Sequence, residues 1–222
     1  MKPIYRVLLV GAAILSALLT PAAEPEVLKT IVLPPAFTQG GKPLMQSLRE
    51  RQTVRELKPD KLPAQTLANL LWAAFGINRP GTGHRTAPSA MNSQEVDIYV
   101  ALPEGLFLYD AKLQQLTPIL TGDLRPRAGG SDSFKDAPVT LILVADLPRL
   151  AKANPETRPF YAAFDAGCIS QNVYLYCASE GLATVVHDLD RSPLAAAMRL
   201  KPDQQIIIAQ AVGYPKETKL NR

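Results

Sequence analysis

Residues 138–145 read Pro-Val-Thr-Leu-Ile-Leu-Val-Ala, a run without a single charge. So uniformly apolar a segment is predicted to be a strand at the centre of a sheet. The rest of the chain must supply what pairs with it and what packs on it. Residues 96–102 alternate, with Val96, Ile98, Val100 and Leu102 on one side, and predict a half-buried strand. Pro103-Glu-Gly105 is a turn and residues 106–109 return as the second arm of a hairpin. A short strand over 184–186 and an apolar strand over 206–212, closed by Gly213, complete the β signals.

The helical signals are as distinct. Residues 158–180 predict one long helix, capped by Gly181. Pro63 opens a helix to Phe75 that places Leu67, Leu70, Leu71 and Ala74 on one face, with Gly76 ending it. Shorter helices are predicted over 43–52, with Leu44, Met45 and Leu48 inward, and over 193–200. Residues 122–133, with adjacent Gly129 and Gly130, read as a loop. Strands and helices mix without strict βαβ alternation. The predicted class is therefore α+β, helices around a mostly antiparallel sheet.

The N-terminus reads differently. Lys2 and Arg6 precede an apolar stretch over 7–19, followed by Thr20, Ala22 and Ala23. This pattern predicts a signal peptide over 1–23, and hence export to the periplasm. The alternative is an uncleaved membrane anchor, although the stretch is short for a span. Residues 24–41 follow as a proline-containing linker, and 42–222 form the domain. Without Lys2 and Arg6 the 24 basic residues fall to 22, against 20 acidic ones. That near-balance, with no long basic run, gives no footing for nucleic acid. Cys168 and Cys177 lie on one predicted helix, about 13.5 Å apart along it. A disulfide needs Cα atoms within about 7 Å, so the two thiols are predicted to stay unpaired. His84 and His187 belong to no ligand-spaced cluster, so no metal site is predicted.

Two stretches carry candidate chemistry. Arg49, Arg51 and Arg55 flank Thr53 at a helix end, and forked guanidinium groups beside a hydroxyl suit a phosphate. A solvated helix end with Glu50 and Glu56 as partners is the other reading. Residues 85–94, Arg-Thr-Ala-Pro-Ser-Ala-Met-Asn-Ser-Gln, set polar side chains around a stiff Pro88 turn. Ser89, Asn92 and Gln94 could read the edge of a flat heterocycle, or could simply cap a turn.

Taken in order, Arg51-Gln-Thr-Val-Arg55, Pro88-Ser-Ala-Met-Asn-Ser-Gln94, Asp165-Ala-Gly-Cys-Ile-Ser-Gln-Asn172 with Gly181-Leu182, and Val212-Gly-Tyr-Pro215 resemble the nitroreductase superfamily. Gly105-Leu-Phe-Leu-Tyr-Asp110 and Gly122-Asp-Leu-Arg125 resemble its SagB-type branch of azoline-oxidising dehydrogenases. The resemblance implies a homodimer with FMN at the subunit interface and hydride exchange at flavin N5. It implies that Arg51, Gln52, Thr53 and Arg55 hold the phosphate and ribityl chain. Pro88, Ser89, Ala90 and Asn92 would approach the flavin from the other subunit. Backbone groups of Val186, His187 and Asp188 would face the ring, and Lys219 or Arg222 would add a basic group near the C-terminus. No catalytic side chain is assigned, and neither substrate nor electron donor is indicated. Gln52 stands where the family usually has a second arginine. No Lys-x-x-x-Tyr pair of the SagB type is found, so azole formation is not implied. A flavin-binding or cofactor-free module with a binding role in the envelope is the second reading.

Overall fold

The computed structural model describes residues 27–129 and 134–216. The predicted leader, Gly130 to Ser133 of the predicted loop, and Lys219 and Arg222 lie outside them. Along the described chain come β1 (Ile31–Val32), α1 (Leu44–Glu50), β2 (Leu57–Lys58), α2 (Ala64–Phe75), β3 (Ile77–Arg79) and β4 (His84–Arg85). β5 (Val96–Leu102), β6 (Gly105–Asp110), β7 (Gln115–Thr121), α3 (Arg125–Ala128) and β8 (Val139–Asp146) follow. The chain closes through α4 (Arg158–Glu180), β9 (Ala183–His187), α5 (Arg191–Met198) and β10 (Gln204–Pro215).

The main sheet runs β1-β7-β6-β5-β8-β10-β2, with β9 also on β10, and its recorded pairings are all antiparallel. The apolar run becomes β8, between β5 and β10 at the centre, as its composition requires. Side-chain alternation divides this centre between two cores. Val96, Ile98, Val100, Leu102, Leu141 and Leu143 face a core that holds Leu70, Leu71 and Ala74 of α2 and Ala166, Ile169 and Val173 of α4. Tyr99, Ala101, Ile142 and Val144 face the opposite core, with Ala128 of α3 and Leu194 and Met198 of α5. β5 is thus buried on both faces rather than half-buried. Its alternation marked one core, and α3 and α5 cover the other side.

α4 spans the predicted residues and stops at Gly181, whose φ of 70° is left-handed. Both cysteines on it are free thiols. Other predictions need correction. Leu44, Met45 and Leu48 point outward, Met45 75% exposed, while Ser47 packs inward, so the apolar face of α1 was assigned the wrong way round. A two-turn helix whose apolar residues do not meet the core gives no way to tell inward from outward. Part of the predicted linker is structural: Ile31–Val32 pairs with β7 and Leu33 joins the core. Residues 125–128 of the predicted loop form the short α3. β10 continues through Gly213 to Pro215 because β9 and β2 pair with it there.

Candidate functional site

The candidate residues gather along the exposed stripe of α4. Phe160, Phe164, Gly167, Gln171, Tyr174 and Ala178 fall on one helical face and are exposed or half-buried. At the C-terminal end of this stripe, α1 brings in the arginine segment. A cleft of about 440 Å³ is lined there by Lys42, Arg49, Arg51, Gln52, Tyr174 and Ala178, among others. Tyr174 organises the cleft. Its ring lies 5.3 Å beneath the Arg51 guanidinium. Its hydroxyl accepts from the Val186 N–H at 3.0 Å and lies 3.2 Å from Thr53 Oγ1. Having accepted one bond, the Tyr174 hydroxyl can donate to Thr53. Nothing in the sequence singled out Tyr174; only a neighbouring segment folded against its helix gives it these partners.

The charges of this cleft separate the two readings of the arginine segment. Glu50 pairs with Lys42 at 2.8 Å, and Glu56 with Lys216 at 3.7 Å. The Lys42 bond, with that from Gln46, holds the Glu50 carboxyl below its ordinary range. Arg51 and Arg55 therefore have no carboxylate partner among the described residues. The Arg51 guanidinium is left with free fork-shaped donors beside a hydroxyl, a donor set that fits a phosphate.

The second candidate segment sits further toward the N-terminus of α4. Pro88 lines a cleft of about 500 Å³ with Phe164, Gly167, Cys168, Gln171 and Asn172. The Ala90 N–H donates to Asp165 Oδ2 at 2.7 Å. Ser89 Oγ accepts from the Gln94 N–H, and the Gln94 side chain bonds Arg85 and Asn92. Arg85 also donates to the Phe75 carbonyl and stacks over the Phe75 ring at 4.6 Å. Met91, Asn92 and Gln94 all have positive φ, at 54°, 54° and 47°. Three such residues so close together store strain of about 1–3 kcal/mol each, which surrounding contacts must offset. Asn tolerates this conformation, but Met and Gln give no sequence signal for it.

Within the chain these two groups stay apart. Tyr174 lies nine residues beyond Asp165, or about 13.5 Å along α4. The β9 candidates divide as well. The Val186 N–H is taken by Tyr174, and Asp188 is exposed and paired with Arg191 at 2.7 Å. His187 is buried and stacked on Phe134 at 4.8 Å, with its Nδ1 3.2 Å from the Asp188 carbonyl oxygen. Burial lowers its pKa, opposed by that backbone bond. Among the described residues no group of His, Cys, Asp and Glu could hold a metal ion.

Helices packed on both faces of an antiparallel sheet, with an arginine-bearing cleft and a strained polar loop along α4, define an α+β protein. The chain matches the Nitroreductase family over residues 48–214. It belongs to that family of oxidoreductases. It is 30% identical over 148 residues to a nitroreductase-family protein of Methanocaldococcus jannaschii, covering 62% of this chain and 74% of the other. A crystal structure of a nitroreductase-family protein of Ralstonia eutropha superposes with TM-score 0.81 at 40% identity, covering 85% of this chain and 90% of that one. A chain of the E. coli microcin synthetase McbBCD complex, bound to truncated pro-MccB17, shares the fold with TM-score 0.65 at 20% identity over 88% of this chain and 80% of that one.

Proposed function

We propose that this protein is an exported, homodimeric, FMN-dependent oxidoreductase with a SagB-like ancestry. The observation that carries the reading is the unpaired Arg51 guanidinium over Tyr174, in a cleft with Lys42, Arg49 and Gln52. The Arg51 fork would suit a terminal phosphate, while Lys42 is held by Glu50, which also lines the cleft. Bound there, FMN would supply hydride exchange at its N5, so no side chain need act as a nucleophile. The chain's own work is to bind and to orient. Arg51 and Arg55 hold the phosphate, with Thr53 supplying a hydroxyl. The 88–92 loop offers Ser89 and Asn92 to the ring edge, and the apolar Pro88 cleft excludes water from it. His187 ends β9 and Asp188 follows it, next to the Val186 N–H that Tyr174 accepts from.

The two segments stand apart along α4, and in the proposed dimer a partner's 88–92 loop would complete the cleft. Exposed Phe160 and Phe164 on α4, and Leu44, Met45 and Leu48 on α1, give a second copy apolar surface to cover. The export part of the proposal rests on the basic and apolar pattern of residues 1–19. The deciding experiment is the visible spectrum of the purified protein, before and after titration with FMN. Flavin bands that persist through gel filtration support the reading. A colourless protein that takes up no FMN overturns it in favour of a cofactor-free module.

A further inference from the structure

The 88–94 loop is tied to α4 by the Ala90 N–H, which donates to Asp165 Oδ2. Asp165 is 2% exposed, on a helix face otherwise made of Ala162, Ala166 and Ile169. Glu95, where the loop enters β5, is 0% exposed. Neither of its carboxyl oxygens has a hydrogen-bond partner among the described residues, and its near polar neighbours are its own backbone N–H and the Asp165 side chain. Arg149, in the turn after β8, does not neutralise it. That guanidinium is bonded to Asp97 at 2.7 Å and to the carbonyls of Gln94 and Glu95, with Asp146 at 3.6 Å. Within a turn of Asp165 on α4 stand Tyr161 and Cys168, whose thiol pKa burial pushes up; Arg158, about two turns earlier on the same face, has a buried Nε without a partner among the described residues. Two carboxyl groups packed together away from water, with no cation between them, cannot both ionise. One proton removes the second charge and supplies the missing donor.

We propose that Glu95 and Asp165 share a single proton and act as a positioning pair that pins the 88–92 loop to α4. Both buried Glu95 oxygens are unpartnered while Asp165 accepts from a backbone N–H, which places the proton on Glu95. Burial, with Asp165 beside it, pushes the Glu95 carboxyl up to about 7. The folded state thus holds a proton that the unfolded chain releases at its ordinary carboxylate pKa of 4.5. The stability this pair contributes is complete below that value and is lost as the pH rises through about 7. Deprotonation places two like charges beneath a loop already strained at Met91, Asn92 and Gln94. Its consequence for cofactor binding rests on the FMN reading above; the pair itself does not.

The test compares wild type with Glu95→Gln, whose amide can donate to Asp165 but cannot titrate. From about pH 5 to pH 7 the wild-type unfolding constant should rise, relative to the variant, by up to about tenfold per pH unit. Protection of the Ala90 amide against hydrogen exchange should fall over the same range in wild type only. Parallel profiles in the two proteins overturn the proposal. If the variant does not fold, carbon-13 titration of Glu95 in the wild type decides: a midpoint near 7 upholds the pair, and an ordinary carboxylate midpoint overturns it. FMN titrations at either end of the range separate the two readings. Absence of FMN binding at every pH removes the cofactor site, while the stability and amide measurements still judge the pair.

Discussion

Arg51 shows how little a single residue reveals before it is placed. In sequence it is one of three arginines at a charged helix end, and either reading of that segment was open. In the fold Glu50 and Glu56 turn to lysines, and Arg51 is left over a tyrosine ring. A charge-assisted phosphate bond contributes about 1.5–3 kcal/mol, so Arg51→Ala should weaken FMN at least about tenfold by calorimetric titration, with the thermal midpoint of the apo-protein unchanged. Unaltered affinity removes Arg51 from the site. Tyr174→Phe keeps the ring under Arg51 but deletes the hydroxyl that serves Thr53 and the Val186 N–H. Leaving that backbone donor without its partner should cost about 1–3 kcal/mol in urea denaturation. The strained 91–94 backbone was not legible at this scale. The positive φ values at Met91 and Gln94 sit among bonds from Ser89, Arg85 and Asp165, which come from three different segments.

Elements were legible where a period and a stop signal coincided. α4 is the clearest case, since its apolar spacing ends at a glycine that takes the left-handed conformation. No atom outside its neighbours lies within 4 Å of a Cβ built on Gly181. Gly181→Ala therefore isolates the backbone strain, and should destabilise by about 1–2 kcal/mol with no change in denaturant slope. Gly213 tests a different cause. It lies inside β10, and a Cβ there would meet the Pro138 ring at 2.8 Å. Because that ring cannot rotate away, Gly213→Ala should cost about 1–3 kcal/mol from overpacking, read by the same unfolding curves. β7 carries no clear strand signal, because Pro118 interrupts its apolar pattern. The fold accommodates it by a register shift on β6 where Phe107 faces Pro118. α1 differs for the opposite reason: its pattern was clear, but its apolar face is turned away from the core.

For the whole molecule the open quantity is the coupling of assembly to cofactor. If the arginine segment and the 88–92 loop reach one flavin from different subunits, FMN binds only the assembled state and stabilises it by mass action. Light scattering at low protein concentration should then show FMN shifting monomer to dimer. A mixed dimer of Arg51→Ala and Asn92→Ala subunits should contain one doubly damaged site and one intact site, so about half the sites keep wild-type affinity. Equal weakening of both sites would place the two segments in one subunit. FMN bound to a monomer would exclude the shared site.

The sequence by itself determined what depends on neighbours along the chain. The central apolar strand, the β5–β6 hairpin, the extent of α4 and its glycine stop all follow from local periodicity and turn chemistry. So does the mixed α+β class, and the ordered motifs were enough to point to the family the chain matches. Only the tertiary structure decided which charges are paired, which face of α1 is exposed, and that β5 is buried on both sides. It also brought Tyr174 under Arg51 and Glu95 beside Asp165. These are outcomes of contact between residues tens of positions apart. Coulomb energy and burial depend on distances in space, and no period in the sequence encodes those.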